Sequence, residues 1–240
     1  MPVPTTETWK EIANNFSQRA NFPHCTGAVD GKHIRIVHPC NSMYYNYKGF
    51  SSIVLMAVAD SQYRFIYVGS YGKDSHSTIF QNCSLWQALL NGTMGLPEEE
   101  CPQGTKNPKV PYAFVADEAF GLHKNLLRPF SGHNLTVGKR VFNYRLSRAR
   151  RYIGILTNKW RIFHRPLNLD PEFCAEIVKA CVILHNFVIV RNGYNTEDAL
   201  TVTGLESLPR SESVRTGLSA NNVRKIMTDY FLTPVGSVKW

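Results

Sequence analysis

The chain has 240 residues, of which 43% are hydrophobic and 12% aromatic, and its formal net charge at pH 7 is +9. A chain of this length and apolar content can bury a core, which excludes an intrinsically disordered protein. No apolar run approaches the length needed to span a bilayer, and the first residues lack the segments of a secretion signal, so we expect an intracellular protein.

The predicted elements begin with a short amphipathic helix around Trp9, which follows capping residues. A strand over "TGAVDGKHIRIV" comes next, followed by two β-rich runs joined by a turn at Asp60, which explains this acid without chemistry. A helix is predicted over Ser77–Leu90 and a loop over residues 91–110. A fourth strand, "VPYAFVADEAF", ends the first half of the chain.

The second half is predicted to be helical. Apolar residues repeat every three or four positions over Val137–Phe163, with arginines on the other faces, and a core helix covers about Pro171–Val190. The order of strand, hairpin, helix, strand and helices predicts an α/β domain with a mixed sheet flanked by helices. We divide the chain into a helical lead-in (1–21), a single domain (22–190) and a C-terminal tail with a short helix (191–240).

Positive charge is concentrated in one segment. Between Glu118 and Asp170, 51 residues contain no Asp or Glu and eleven Lys or Arg, so this segment carries +11 and the remaining chain sums to −2. Ordinary surfaces mix both signs, and a one-sided segment therefore indicates a polyanion such as nucleic acid; an anionic membrane and a merely basic surface are the alternatives. The side chains that we expect to bind DNA are those of Arg140, Arg145, Arg148, Arg151, Lys159 and Arg161.

Two aspartates stand at the ends of apolar strands. Asp30 precedes a glycine, which is also the signature of a tight hairpin turn, and Asp117 can instead cap a following helix. If the two strands are neighbours, the carboxylates meet at one edge of the sheet and raise each other's pKa unless a cation lies between them. Mg²⁺ and Mn²⁺ prefer such oxygen ligands, and metal ions held beside a polybasic surface suit phosphodiester chemistry.

The six cysteines are scattered without a C-x-x-C pair, which is typical of reduced thiols. Cys174, Cys181 and His185 do share one face of the predicted core helix. Zinc usually needs four ligands and the intervening residues are apolar, so a buried helix is favoured over a metal site.

Eight stretches, in order along the chain, resemble the PIF/Harbinger-type DDE transposases and the nuclease-like proteins domesticated from them. They are "FPHCTGAVDGKHIRI", "YYNYKGFSSIVLMAVAD", "RFIYVGSYGKDSHSTIF", "VADEAFGLHKNLLRPF", "RVFNYRLSRARR", "GILTNKWRIFHRPL", "IVKACVILHNF" and "DYFLTPVGSVKW". The resemblance implies an RNase H-like fold in which three acids bind two divalent ions, Mg²⁺ or Mn²⁺, and cut DNA. By position, Asp30 is the first catalytic, metal-binding acid and Asp117 is the second. The resemblance also implies a nuclear protein and a separate Myb-like DNA-binding partner.

The third acid of the family is absent. In the family a glutamate follows the Arg-Ala-Arg-Arg run by three positions, and Gly-Ile-Leu comes a few residues later. Here Arg151 is followed by only Tyr152 and Ile153 before Gly154, so four residues are missing, the glutamate among them. A four-residue deletion rotates a helix by a net angle of only about 40°, which preserves the apolar stripe but not the chemistry.

Three other acids, Glu118, Asp170 and Glu172, are poor substitutes because of their positions in the predicted elements. The sequence therefore leaves three possibilities. The chain is a metal-dependent DNA endonuclease of transposase descent, a non-catalytic DNA-binding protein with the same fold, or a decayed or mispredicted transposon copy. Because the glutamate is missing, we expect impaired strand cleavage.

Overall fold

Five strands form one mixed sheet in the computed structural model, which describes residues 3–37, 44–46, 48–71, 76–151, 159–193 and 218–237. The strands are β1 (Cys25–Arg35), β2 (Ser52–Ala59), β3 (Phe65–Tyr71), β4 (Ala113–Val115) and β5 (Leu126–Leu127). Their order in the sheet is β3-β2-β1-β4-β5. The first three strands pair antiparallel, whereas β4 is parallel to β1 and β5 is parallel to β4. The predicted mixed sheet is therefore confirmed.

Helices cover the sheet on both faces. They are α1 (Thr6–Ala20), α2 (His76–Asn82), α3 (Ser84–Leu90), α4 (Val137–Arg150), α5 (Pro171–Asn192) and α6 (Leu218–Tyr230), and a 3₁₀-helix spans Arg161–His164. All eight residues of β2 are buried. Val54, Met56 and Val58 pack in a core shared with α1, α4 and α6, whereas Ile53 and Leu55 pack in a second core beneath α5.

The predicted N-terminal helix is confirmed. Thr5 caps α1 by accepting a hydrogen bond from the backbone N–H of Thr8, and Trp9, Ile12 and Phe16 are all buried. These side chains belong to the main core together with residues of α6. Helix α1 packs against β1, and α6 packs against α4.

Two predicted helices and one strand differ from the secondary structure that is observed. The helix expected over Ser77–Leu90 is broken at Cys83, whose Sγ accepts a hydrogen bond from the backbone N–H of Trp86 and so starts a second helix, α3. The helix expected over Val137–Phe163 reaches Arg150 as α4, and residues 152–158 lie outside the described part of the chain. Strand β5 was not predicted, because two residues carry no periodic signal.

The core helix α5 is held to the sheet by polar contacts. His185 Nε2 is 2.8 Å from the carbonyl oxygen of Tyr63, and the Asn186 amide makes two 2.8 Å hydrogen bonds with the backbone N–H and C=O of Phe65. By length and composition alone α5 is apolar enough to cross a membrane, so the expectation that no apolar run is long enough was too strong. Its inner side packs against β2 and β3 in the second core.

Candidate active site

Strand β1 runs straight through Asp30. In the antiparallel ladder with β2, Asp30 lies opposite Ala57 and Gly31 lies opposite Met56, and the ladder continues to Arg35. The Asp30–Gly31 pair is therefore the middle of a strand, and the hairpin-turn interpretation is wrong. Asp30 Oδ1 accepts a hydrogen bond of 2.9 Å from the backbone N–H of Gly31, and the side chain is partly buried.

Strand β4 places Asp117 beside Asp30. Ala28 of β1 is paired with Val115 of β4 in a parallel arrangement, and each aspartate follows its member of this pair by two residues. Asp117 Oδ1 accepts a hydrogen bond of 2.9 Å from the backbone N–H of Ala119, so this carboxylate closes a tight turn rather than capping a helix. Asp30 thus lies on β1, and Asp117 lies two residues beyond the end of β4, the neighbouring strand. The expectation that the two strands are neighbours is confirmed.

The third charged group of the site comes from α4. Arg150 is the last residue of this helix, which packs against β1 and β4. Its Nη2 lies 3.4 Å from Oδ2 of Asp117, and the two side chains are only 23% and 15% exposed. The Nε of Arg150 is buried and has no hydrogen-bond partner within the described residues. A guanidinium group therefore lies beside Asp117, just beyond the end of β4.

Burial raises the pKa of Asp30 to about 6, from an ordinary value of 3.8. The negative charge of Asp117 adds to this rise in pKa. Three groups oppose it: the positive charge of Arg150, the hydrogen bond from the Gly31 N–H, and the charge of Lys32. The structure thus couples Asp30 electrostatically to both Asp117 and Arg150.

The basic residues predicted to bind DNA do not share one environment. The side chains of Arg140, Arg151 and Arg161 are exposed, whereas those of Arg148 and Lys159 are half-buried. These five remain candidates for a basic surface.

Arg145 does not belong to that surface. It is only 2% exposed, and its guanidinium carbon lies 4.2 Å from the centre of the Phe231 ring. Its Nη1 donates a hydrogen bond of 3.3 Å to the carbonyl oxygen of Asn21. The helical phase directs this residue into the core, so its assignment as a DNA-binding residue was wrong. Charge counting alone could not separate it from its neighbours on α4.

The site fits one divalent ion better than two. Carboxylate oxygens are suitable ligands for Mg²⁺ or Mn²⁺, and water can complete the coordination of a single ion. No group of three His, Cys, Asp or Glu side chains that could hold a metal ion is found in the described ranges. Glu118 is exposed, and Asp170 and Glu172 lie at the start of α5, away from the acid pair in the sequence and on another element. The two-ion arrangement implied by the family resemblance is therefore not supported by these residues.

The buried helix α5 also carries no metal centre among its described residues. Cys174, Cys181 and His185 are buried in it, and His185 is engaged with the backbone of Tyr63. The interpretation of these residues as a core helix is consistent with this packing.

Sequence reasoning missed Arg150. It lies in the run Arg148–Arg151, and composition does not distinguish it from the other arginines there. Its position in the helix could have identified it. Ala149 and Leu146 point into the core, so a residue next to them at the C-terminal end of the helix can reach the sheet.

Comparison with known proteins gives one family. The sequence model of the family described as "DDE superfamily endonuclease" matches residues 29–186, a span that includes both aspartates and Arg150. No curated protein matches the chain. No solved structure matches it either.

Proposed function

Because the chain belongs to the DDE superfamily endonuclease family, we propose that it is a transposase-derived DNA endonuclease homologue whose strand cleavage is impaired. The observation that carries this proposal is the parallel pairing of β1 with β4, which sets Asp30, in the middle of the central strand, beside Asp117, just after β4. Nuclease family membership implies DNA as the substrate.

The sheet supports an RNase H-like assignment. Three antiparallel strands are followed by two short parallel ones, in the order β3-β2-β1-β4-β5, and the first acid lies on the central strand. The second acid follows the next strand, β4. This arrangement supports the assignment of Asp30 and Asp117 as the first two acids of the family and as ligands of a divalent ion. Such an ion supplies Lewis-acid activation of water and of the phosphodiester.

The side chains of the protein have three further roles in this proposal. Asp30 and Asp117 present carboxylate oxygens where β4 ends beside β1, and either carboxylate can accept a proton from water there. Arg150 offers its charge to an anion or to Asp117. The exposed Arg140, Arg151 and Arg161 supply a non-specific attraction for the DNA backbone.

Impairment follows from the number of acids. A carboxylate that is missing from a two-ion site leaves charge that develops in the transition state without stabilisation, and the loss of one such preorganised group commonly costs about 10²–10³ in rate. The segment between Glu118 and Asp170 has no acid that can replace it.

The family type, the cellular location and the partner protein are proposed from the sequence resemblance. We place the chain in the PIF/Harbinger type, in the nucleus, with a Myb-like DNA-binding protein as a partner. A non-catalytic DNA-binding role is the second candidate function, and the ion pair between Arg150 and Asp117 favours it because it neutralises an acid that catalysis needs.

Nicking of supercoiled plasmid in Mg²⁺ or Mn²⁺, together with a DNA-binding assay, tests the proposal. We expect salt-sensitive binding of duplex DNA and cleavage that is weak or absent. Any nicking that is seen should disappear in Asp30→Asn and Asp117→Asn. Robust cleavage that survives both substitutions would refute the assignment of these acids, and failure to bind DNA at low salt would refute both candidate functions.

A further inference from the structure

The Asp30–Asp117 pair already has a cation of the chain beside it, Arg150. Asp30 and Asp117 together carry two negative charges when ionised, and the Arg150 guanidinium lies within 3.4 Å of one of them. Its charge also acts on Asp30, as one of the groups that favour the ionised carboxylate. Arg150 thus contacts one of the two carboxylates that would hold a divalent ion.

The position of Arg150 is enforced by its surroundings. Ala149 and Leu146 of the same helix are 0% and 1% exposed, which fixes the rotation of α4 against the sheet. The Arg150 side chain is mostly buried, and the absence of a hydrogen-bond partner for its Nε among the described residues leaves the carboxylates as its main source of compensation. A partly buried guanidinium that has one carboxylate partner cannot leave it without a desolvation cost.

We propose that the Arg150 guanidinium is the built-in counter-ion of the Asp30–Asp117 pair and that it competes with a divalent ion for this site. This inference rests on the proposed metal-binding role of the two aspartates. It adds a second reason for weak metal binding besides the missing third acid. A divalent ion entering the site must separate Arg150 from Asp117 and then remain close to a like charge.

The effect of this competition on the affinity for a divalent ion can be estimated. Two unit charges a few Å apart near a protein surface interact strongly enough to change an equilibrium constant by more than tenfold. Removing the charge of Arg150 while keeping a polar side chain should therefore tighten metal binding by at least about tenfold.

The test is binding of Mn²⁺ alone to the full chain at pH 7.5, followed by the electron paramagnetic resonance signal of the free ion. We expect Arg150→Gln to bind Mn²⁺ at least about tenfold more tightly than the unmodified chain. Arg150→Lys, which keeps the charge, should stay within about threefold. Arg165→Gln is the matched control, since it removes one charge from an exposed arginine outside the site, and it should stay within about twofold.

The outcomes separate this inference from the function on which it rests. If Mn²⁺ binding is lost in Asp30→Asn but unchanged in Arg150→Gln, the ion binds at the acids and the competition is refuted. If the gain in Arg150→Gln persists after Asp117→Asn and Asp30→Asn are added, the ion binds elsewhere and the proposed metal site is refuted. Equal gains in Arg150→Gln and Arg150→Lys would show that packing, not charge, controls binding, and would also overturn the inference.

A second measurement covers the case in which Arg150→Gln folds but is too unstable for Mn²⁺ titration. The double variant Arg150→Gln/Asp117→Asn removes both partners, so it leaves no unpaired charge between them. If Arg150 is the counter-ion, the urea midpoint of the double variant should lie well above that of Arg150→Gln. A double variant whose loss equals the sum of the two single losses would contradict the inference.

Discussion

Nη2 of Arg150 lies 3.4 Å from Oδ2 of Asp117, so the last residue of α4 forms an ion pair with an acid that follows β4. This contact joins the C-terminal end of α4 to the acid beside Asp30. The four-residue gap that the sequence resemblance implies would begin three positions after Arg150, next to a residue that contacts Asp117.

The raised pKa of Asp30 predicts a stability that depends on pH. Its pKa in the folded protein, about 6, is higher than its ordinary value of 3.8, so the folded state binds the proton more tightly. The ionised carboxylate therefore destabilises the fold above pH 6, and this penalty vanishes as the pH falls below 3.8. Asp30→Asn should raise the free energy of unfolding at pH 7.5 by up to about 3 kcal/mol, from two pKa units at about 1.4 kcal/mol each.

Urea unfolding of both chains between pH 4 and pH 7.5 measures this effect, and the difference should shrink toward the acidic end. Glu118→Gln, which removes an exposed charge next to Asp117, serves as the control. A substitution at Asp30 that destabilises the chain at pH 7.5 would show that the ionised carboxylate is favourable in the folded state, contrary to the burial of this group.

We expect Arg145 to contribute to the stability of the fold and not to DNA binding. Arg145→Ala removes a buried side chain that lies 4.2 Å from the Phe231 ring and donates to the Asn21 carbonyl, so we expect a loss of about 2–4 kcal/mol. The matched variant Arg148→Ala, on the same helix but half-buried, should cost less than about 1 kcal/mol. Thermal and urea unfolding provide the comparison. If Arg145→Ala remained stable but bound DNA more weakly, the result would show that Arg145 contributes to DNA binding.

The exposed basic residues should set the salt dependence of DNA binding. Each neutralised phosphate contributes about 0.9 to the slope of log affinity against log salt, so replacing Arg140, Arg151 and Arg161 by Gln should flatten this slope by up to about 2.7. Fluorescence anisotropy of a labelled duplex at several salt concentrations measures it.

The control is a triple variant with the same loss of charge elsewhere. Lys106, Lys109 and Arg191 are exposed and lie on the loop before β4 and at the end of α5. Their replacement by Gln should leave the slope nearly unchanged. Equal flattening in the two triple variants would mean that overall charge, and not this surface, attracts DNA.

Reinsertion of the missing segment should restore chemistry. Placing Glu-Asn-Ala-Phe between Ile153 and Gly154 adds an acid and rotates a helix by a net angle of only about 40°, which keeps the apolar stripe in phase. These positions lie outside the described residues, and the prediction rests on the sequence. Plasmid nicking in Mn²⁺ should rise above that of the original chain and be lost again in Asp30→Asn.

Folding and DNA binding of the inserted chain are the controls for this experiment. If it is folded and bound to DNA yet does not cut, the absent glutamate does not account for the impairment. Strong nicking by the original chain, abolished in Asp30→Asn, would show that two acids suffice.

Asn186 should hold the edge strand β3. Its amide makes two hydrogen bonds of 2.8 Å with the N–H and C=O of Phe65, and Asn186→Ala leaves both backbone groups without these partners. We expect a loss of about 1–3 kcal/mol and faster hydrogen exchange at the Phe65 amide. Phe187→Ala, at an exposed neighbouring position, should change stability little. Similar losses in both variants would indicate a general weakening of the helix instead.

The sequence by itself predicted β1 to β4 and named Asp30 and Asp117, which the pairing of β1 with β4 then brought together. Alternating and continuous apolar runs predicted β1 to β4, and helical spacing placed Trp9, Ile12 and Phe16 in the core, because local periodicity reports which side of an element is buried. The acid-free segment likewise showed that no carboxylate between Glu118 and Asp170 could complete the site.

Only the tertiary structure decided what each charged residue does. The sequence could not tell Arg145, which is buried against Phe231, from Arg151, which is exposed, since both lie in one basic run. It also could not place Arg150 beside Asp117, 33 positions earlier in the chain, because that contact depends on how α4 packs across the sheet. Charge is a property of the residue type, whereas burial and partners arise from contacts between elements that are distant in sequence.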